Sequence, residues 1–418
     1  MKNFLLQKGR DIHHSCMIWN TLGGMVSAGQ SAVILMFVSY RDDITTAGMV
    51  TIAYAIASLF YVMAQYGVRN YQVTDTTEKY SFADYLITRI ITIMTAMILL
   101  LIYLAYVCYT KETDLKKLAI IFEVSLWKFI DALEDVFIGQ YQKAGRLDIG
   151  AKIMTLRMAL STGLTCLLTL LYVNIQTALT AGIVLSVMID IYFIFLTFYV
   201  VRKEDNYKSE GKITGVIKDC LPLCIGSVFC TYVGNAPKYL IDQYMDEQTQ
   251  AVFGYIMLPV FMIMLLNNFI YQPAVKELGD IWEQGKETVF RKKIIIQCRI
   301  VAFLTLSAIL AGKFAGLPVL SVLYHKSLGD YGNEFIVLLL GGGFYALVSY
   351  LNVPLIVMGR KKYIAWGYLA AACFILGCGK YFVLSMGMMG AALLYLILNV
   401  TLAVWYLMIL FYRSRKTG

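Results

Sequence analysis

Long apolar stretches recur from one end of this chain to the other. Each is long enough to cross a lipid hydrocarbon core as a helix, which takes ~20 residues. Twelve can be delimited, near residues 17–40, 46–68, 83–108, 115–141, 148–173, 177–201, 214–240, 249–275, 289–313, 333–358, 362–384 and 388–412. Within lipid a backbone must satisfy its own hydrogen bonds, which leaves helices or closed barrels. The alternating pattern of barrel strands is absent. The expected fold is therefore all-α: a polytopic membrane protein of about 12 transmembrane helices in two six-helix lobes. Composition agrees, with 59% hydrophobic and 15% charged residues; an ordinary soluble domain carries roughly 25% charged.

The basic residues give the orientation. Of 36 Lys and Arg, 24 fall in the N-terminus, every second loop after it and the C-terminus. Six fall in the opposite set: Arg41, Lys111, Lys116, Lys117, Lys313 and Lys326. The positive-inside rule then places both termini in the cytoplasm, which requires an even number of spans. The net charge of +9 is thus a topology signal and not a nucleic-acid face. No cleavable signal peptide is expected, because the first apolar segment runs on to Tyr40 without a clear cleavage site. The expected setting is a bacterial cytoplasmic membrane.

The polar break at 202–213 (RKEDNYKSEGKI) divides the chain into an expected N-terminal lobe, 1–206, and a C-terminal lobe, 207–418. The halves echo each other faintly. YQV at 71–73 and YQP at 271–273 each follow the second helix of their half, and Arg89 and Arg299 each sit about two turns into the third. Such duplication is common in transporters. All six prolines lie in the second half: Pro222, Pro237, Pro259, Pro273, Pro318 and Pro354. Helices seven and eight hold two each and are the expected bending elements. The longest outward loop is expected at 314–332, with His325.

Ionisable side chains inside a bilayer are costly, so they face a wet cavity or a partner. Six cations lie within expected helices: Arg89, Lys128, Arg157, Lys238, Arg299 and Lys380. Arg69 closes the second helix. The fourth helix is the densest case, carrying Glu123, Lys128, Asp131, Glu134 and Asp135. At 100° per residue these share one stripe spanning about 140°. Lys128 and Asp131 stand i,i+3 and can pair. The stripe either lines a hydrated cavity or ties helices together through ion pairs. Asp190, mid-way along the sixth helix, either carries a coupling ion or pairs with Lys128 or Arg157. Cations at several depths suit an anion that must move through, and arginine suits pyrophosphate through bidentate bonds. Amides including Gln30, Asn235 and Asn267 offer hydroxyl contacts or helix-to-helix bonds.

Enzyme chemistry is not expected. His13 and His14 lie near the N-terminus and His325 in an outer loop, so an intramembrane metal or His-based site lacks ligands. There is no P-loop. The nine cysteines are an odd count without CxxC pairs, which argues against a disulfide framework and a zinc site. No cofactor is expected.

The segment 19–69, YGVRNYQVTD at 66–75, DALEDVFIGQYQKAGRLDIGAKIMTLR at 131–157, and GNAPKYLIDQYM at 234–245 followed by AVFGYIMLPVF resemble bacterial polysaccharide-repeat flippases. These belong to the multidrug, oligosaccharidyl-lipid and polysaccharide exporter superfamily. The resemblance implies two lobes opening alternately inward and outward around a cationic cavity. It implies a polyprenyl-pyrophosphate-linked oligosaccharide as substrate, with Arg69, Lys128, Arg157 and Lys238 as the matching cations. The family tends to have arginine where Lys238 stands, and the acidic stripe partly neutralises the cavity. A polysaccharide polymerase and glycosyltransferases are the implied partners. Two other readings remain: a cation-coupled drug exporter on the same fold, and a membrane glycan polymerase or acyltransferase.

Overall fold

The computed structural model describes residues 5, 12–41, 43–75, 77–111, 113–197, 211–271 and 275–412. The break at 202–210, Pro273 and the basic residues Lys2, Lys8, Arg10, Arg413, Arg415 and Lys416 lie outside them. The described chain is helical. In order come α1 (Ile12–Arg41), α2 (Ile44–Gln65), α3 (Val68–Thr74), α4 (Phe82–Lys111), α5 (Leu115–Lys143), α6 (Leu147–Leu170), α7 (Ile175–Thr197) and α8 (Ile213–Tyr244). They are followed by α9 (Glu247–Ile256), α10 (Leu258–Tyr271), α11 (Val275–Glu283), α12 (Glu287–Ala311), α13 (Leu317–Tyr324), α14 (Gly332–Val357) and α15 (Lys361–Phe411).

Ten described segments are long and apolar enough to cross a membrane. Two further spans come from particular residues. α5 is 29 residues long but carries the charged stripe. α15 runs for 51 residues and breaks at Gly387, whose φ of 58° and ψ of −137° are not helical. Those two bring the spans to twelve. Glycine tolerates that backbone because it has no Cβ. The chain also closes tightly after the break: a Cβ on Gly390 would collide with the carbonyl oxygen of Phe382.

Contacts divide the chain into two compact units, 1–231 and 232–418, with the boundary inside α8. In the first unit α5 is the central post, packed against α2, α3, α4, α6 and α7. α2 begins at Asp43, whose carboxylate accepts from the Thr46 amide (2.9 Å) and the Thr45 hydroxyl (2.7 Å). Those bonds hold its carboxyl down to about 2. α2 ends at Tyr66 and Gly67, both left-handed, and the turn redirects the chain into α3, which carries Arg69. The loop from 75 to 81 is tied at both ends. Burial pushes the Asp75 carboxyl up, but bonds from the Tyr85 hydroxyl, the Lys79 and Tyr80 amides and the Thr77 hydroxyl outweigh it and leave it below its ordinary value. One oxygen of Asp219 accepts from Tyr71, Lys79 and Tyr80 at 2.7–2.8 Å. Val216 and Cys220 add apolar contact to Tyr80, Phe82 and Tyr85, so the start of α8 is anchored to the first unit.

In the second unit α14 is the corresponding post, packed against α10, α12 and α15. The expected bends take different forms. α8 is one helix holding both Pro222 and Pro237. The eighth expected helix is divided at Met257, with Pro259 in the first turn of α10, where its missing N–H costs nothing. The segment expected as an outer loop at 314–332 is largely helical. A π-helical turn, Gly312–Gly316, carries α12 on into α13, and His325 ends it in the left-handed conformation. Glycines 312 and 316 admit the ring of Phe335, which a Cβ at either position would meet at 3.0 Å or less.

Candidate functional site

The charged stripe of α5 folds inward. Lys128, Asp131, Glu134 and Asp135 are all buried, and partners arrive from neighbouring helices. α6 brings Arg157, whose side chain is wholly shielded. Its Nη2 donates to Asp131 Oδ1 (2.7 Å) and Glu134 Oε2 (2.6 Å), and its Nε donates to the same Glu134 oxygen (3.2 Å). α7 brings Asp190, with Oδ1 3.3 Å from Arg157 Nε, an ion contact without hydrogen-bond geometry. Lys128 donates to Asp131 Oδ2 and to Gln30 Oε1 of α1, both at 2.9 Å. Gln30 in turn donates to Thr162 (3.3 Å), and the ammonium stands 5.9 Å from the centre of the Tyr54 ring.

One turn along, Asp135 is held by two arginines. Arg69 Nη1 of α3 reaches Oδ1 at 3.1 Å, and Arg89 Nη2 of α4 reaches Oδ2 at 2.8 Å. Arg69 also donates to Gln142 Oε1 (3.0 Å), and Arg89 to the carbonyl of Ala64 (3.1 Å). Arg69, Arg89, Lys128 and Arg157 therefore face Asp131, Glu134, Asp135 and Asp190. The formal charges cancel, as low dielectric demands. The balance is incomplete at the level of atoms. Arg157 Nη1, Arg89 Nε and Glu134 Oε1 are buried without a hydrogen-bond partner among the described residues. The site thus holds spare donors and a spare acceptor.

Of the expected site residues, eight join this network. Glu123 does not: it lies farther along α5, where one oxygen accepts from Thr180 (3.2 Å) and the other is buried without a hydrogen-bond partner among the described residues. Asp190 pairs with Arg157, one of the two partners expected for it. In the second unit the three expected site cations stay apart from the carboxylates of the described residues. Lys238 stands 5.8 Å from the Phe261 ring centre and Lys380 5.7 Å from that of Tyr244. Arg299 is exposed on α12. None of the three forms an ion pair among the described residues.

Sequence reasoning did not single out Tyr54, Gln142 or Thr162 as site members. Nor did it find Asp148, which accepts from Arg146 (3.0 Å) and Lys152 (3.5 Å) at the start of α6. The i,i+4 spacing of Asp148 and Lys152 was the available signal. Among the described residues, no group of three or more His, Cys, Asp or Glu side chains is placed to hold a metal ion.

No family model matches the chain. It is 22% identical over 252 residues to the capsular polysaccharide biosynthesis protein CapF of Staphylococcus aureus, a match spanning 59% of this chain and 62% of that protein. Among solved structures, a point mutant of the Vibrio cholerae MATE transporter VcmN aligns with a TM-score of 0.66 at 11% identity, covering 97% of this chain and 98% of that one. A MOP superfamily transporter from Pyrococcus furiosus, described as having a binding pocket of reverse polarity, aligns at 0.62 and 13% identity, covering 98% and 97%. The chain has the MATE transporter fold.

Proposed function

We propose that this chain is a flippase that moves a polyprenyl-pyrophosphate-linked oligosaccharide from the cytoplasmic to the outer leaflet by alternating access, for cell-surface polysaccharide synthesis. The fold supports transport by alternating access. The likeness to a capsular polysaccharide biosynthesis protein carries the substrate class. On this reading the halves 1–206 and 207–418 act as the two lobes, in a bacterial cytoplasmic membrane with both termini inside. Glycosyltransferases supply the substrate and a polymerase consumes it. The protein makes and breaks no covalent bond itself.

The network supplies a mechanism. Pyrophosphate oxygens accept from a guanidinium in the same bidentate geometry as carboxylates. Arg157 already has an orphan N–H, so an entering pyrophosphate bonds there first and then displaces Glu134 and Asp131. Glu134 is then left buried without a partner and Asp131 with Lys128 alone, a costly state. Taking up a proton or a metal cation relieves it. Substrate and carboxylates thus compete for one guanidinium, and the competition couples headgroup movement to an ion. The Lys128 ammonium adds a second positive charge one step away.

A second reading has its own observation. Four carboxylates balance the four cations, and an organic cation would pair with those carboxylates as readily as an anion pairs with the arginines. That arrangement suits a drug exporter on the same fold.

The test is transport in reconstituted liposomes. A fluorescent polyprenyl-pyrophosphate sugar is exposed on the far leaflet in a protein-dependent way, read with a membrane-impermeant reagent. The rate falls at least tenfold when Lys128 and Arg157 are both alanine and the protein is still inserted. No exposure under ion gradients of either direction, with organic cations moved instead, would assign the chain to the drug exporters.

A further inference from the structure

Outside the charged network, a concavity lies in the second unit, between the two halves of α15. It encloses about 620 Å³. Trp366, Ala370 and Phe374 line one wall at i,i+4 spacing, and Ile397, Thr401 and Trp405 line the other. The Thr401 hydroxyl donates to the carbonyl of Ile397 (2.8 Å), so its methyl is left for the groove. The surface is almost wholly apolar, and both indoles are exposed.

One end of the groove is pinned and charged. Trp405 Nε1 donates to the carbonyl of Tyr363 (3.1 Å), and the Tyr406 hydroxyl to that of Ile364 (3.3 Å). Gly367 lets the helices meet there, since its Cβ would lie 3.0 Å from the Tyr406 ring. Arg360 is committed to carbonyls at the C-terminal end of α15, those of Ile409 and the capping residue Tyr412. Lys361 and Lys362 are exposed and form no ion pair among the described residues. Lys362 stands one helical turn from Trp366. From Tyr363 to Phe374 the groove runs for about 17 Å at 1.5 Å per residue. That is close to half of a ~30 Å hydrocarbon core, the depth of one leaflet.

We propose that this groove is a binding site for an anionic phospholipid. One acyl chain lies along Trp366, Ala370 and Phe374, and the headgroup phosphate meets Lys361 and Lys362. The depth selects a chain confined to one leaflet, and the free ammonium groups select negative charge. A basic mouth on an apolar cleft between membrane helices recognises acidic headgroups through both terms. On the positive-inside count, the leaflet is the cytoplasmic one. The proposal does not depend on what the protein transports.

The test uses the purified full chain in detergent, titrated with phosphatidylglycerol or phosphatidylcholine of identical acyl chains. Retained lipid is counted by native mass spectrometry, and the thermal midpoint is followed in parallel. The wild type prefers phosphatidylglycerol about tenfold. Lys361→Ala with Lys362→Ala removes that preference and leaves phosphatidylcholine retention unchanged. Ala370→Trp fills the groove from an exposed position and lowers retention of both lipids. Unchanged preference in the lysine variant, or unchanged retention in Ala370→Trp, overturns the proposal. So does preferential retention of a polyprenyl phosphate over phosphatidylglycerol, which would assign the groove to the carrier lipid.

Discussion

At the scale of single residues, Arg157 is the member of the network with most to lose. Its guanidinium faces three carboxylates, and removing it leaves Glu134 and Asp190 buried without a cation and Asp131 with Lys128 alone. Arg157→Ala should cost about 3–5 kcal/mol, read as a fall in thermal midpoint of the purified protein in detergent. Combining Arg157→Met with Glu134→Gln should cost less than the two single changes added together, because the groups act through each other. Asp43 is a smaller and cleaner case, since it caps α2 outside the spans. Asp43→Ala should cost about 1 kcal/mol. The wild-type advantage also has a defined pH range. The folded-state carboxyl is depressed to about 2, so the cap contributes fully above the ordinary carboxylate value of about 4. It is lost as pH falls from there toward 2, and a stability-against-pH comparison with Asp43→Ala should converge at that end. Much at this scale was legible in sequence. The i,i+3 pair of Lys128 and Asp131 and the inward stripe follow from helical geometry alone. The docking of Arg69 and Arg89 onto one carboxylate, and the chain from Lys128 through Gln30 to Thr162, were not legible. They depend on which helices pack together, and no local pattern encodes that.

Among elements, the spans were readable because apolar length in lipid leaves one regular solution. Their ends were less so. Pro222 and Pro237 sit inside one continuous helix, whereas the division at Met257 precedes its proline. Proline marks where a break is tolerated and not where packing puts one. The π turn at Gly312–Gly316 was hidden for a similar reason, since it serves the ring of Phe335 on another helix. Gly387 separates the last two spans, and its dihedral angles exclude a side chain without strain. Gly387→Ala should destabilise the second unit by about 1–3 kcal/mol. Thermal unfolding of the variant checks the size of the effect. A Gly377→Ala control, where a Cβ meets nothing within 4 Å, should show no loss.

For the whole molecule, a hydropathy criterion selects ten segments and passes over α5. The helix at the centre of the first unit is the one least able to enter a bilayer alone. Each buried charge at a helix centre costs roughly 2.5–3.5 kcal/mol for insertion, and α5 carries several. Its compensating arginines are divided: Arg69 and Arg89 are synthesised before it, and Arg157 after it. The order of synthesis therefore becomes part of the energetics. When α5 leaves the ribosome, Asp135 can already find its partners and Asp131 can pair with Lys128, whereas Glu134 and the second bond of Asp131 must wait for α6. A nascent chain truncated at residue 145 should leave α5 outside the bilayer in a glycosylation-mapping assay, and one extended to residue 172 should insert it. Restoring the truncated chain's insertion with Asp131→Asn and Glu134→Gln would show that the charges awaiting Arg157 are what delay it. The balanced cluster is then a checkpoint in biogenesis: a chain that fails to deliver α6 never acquires its central post.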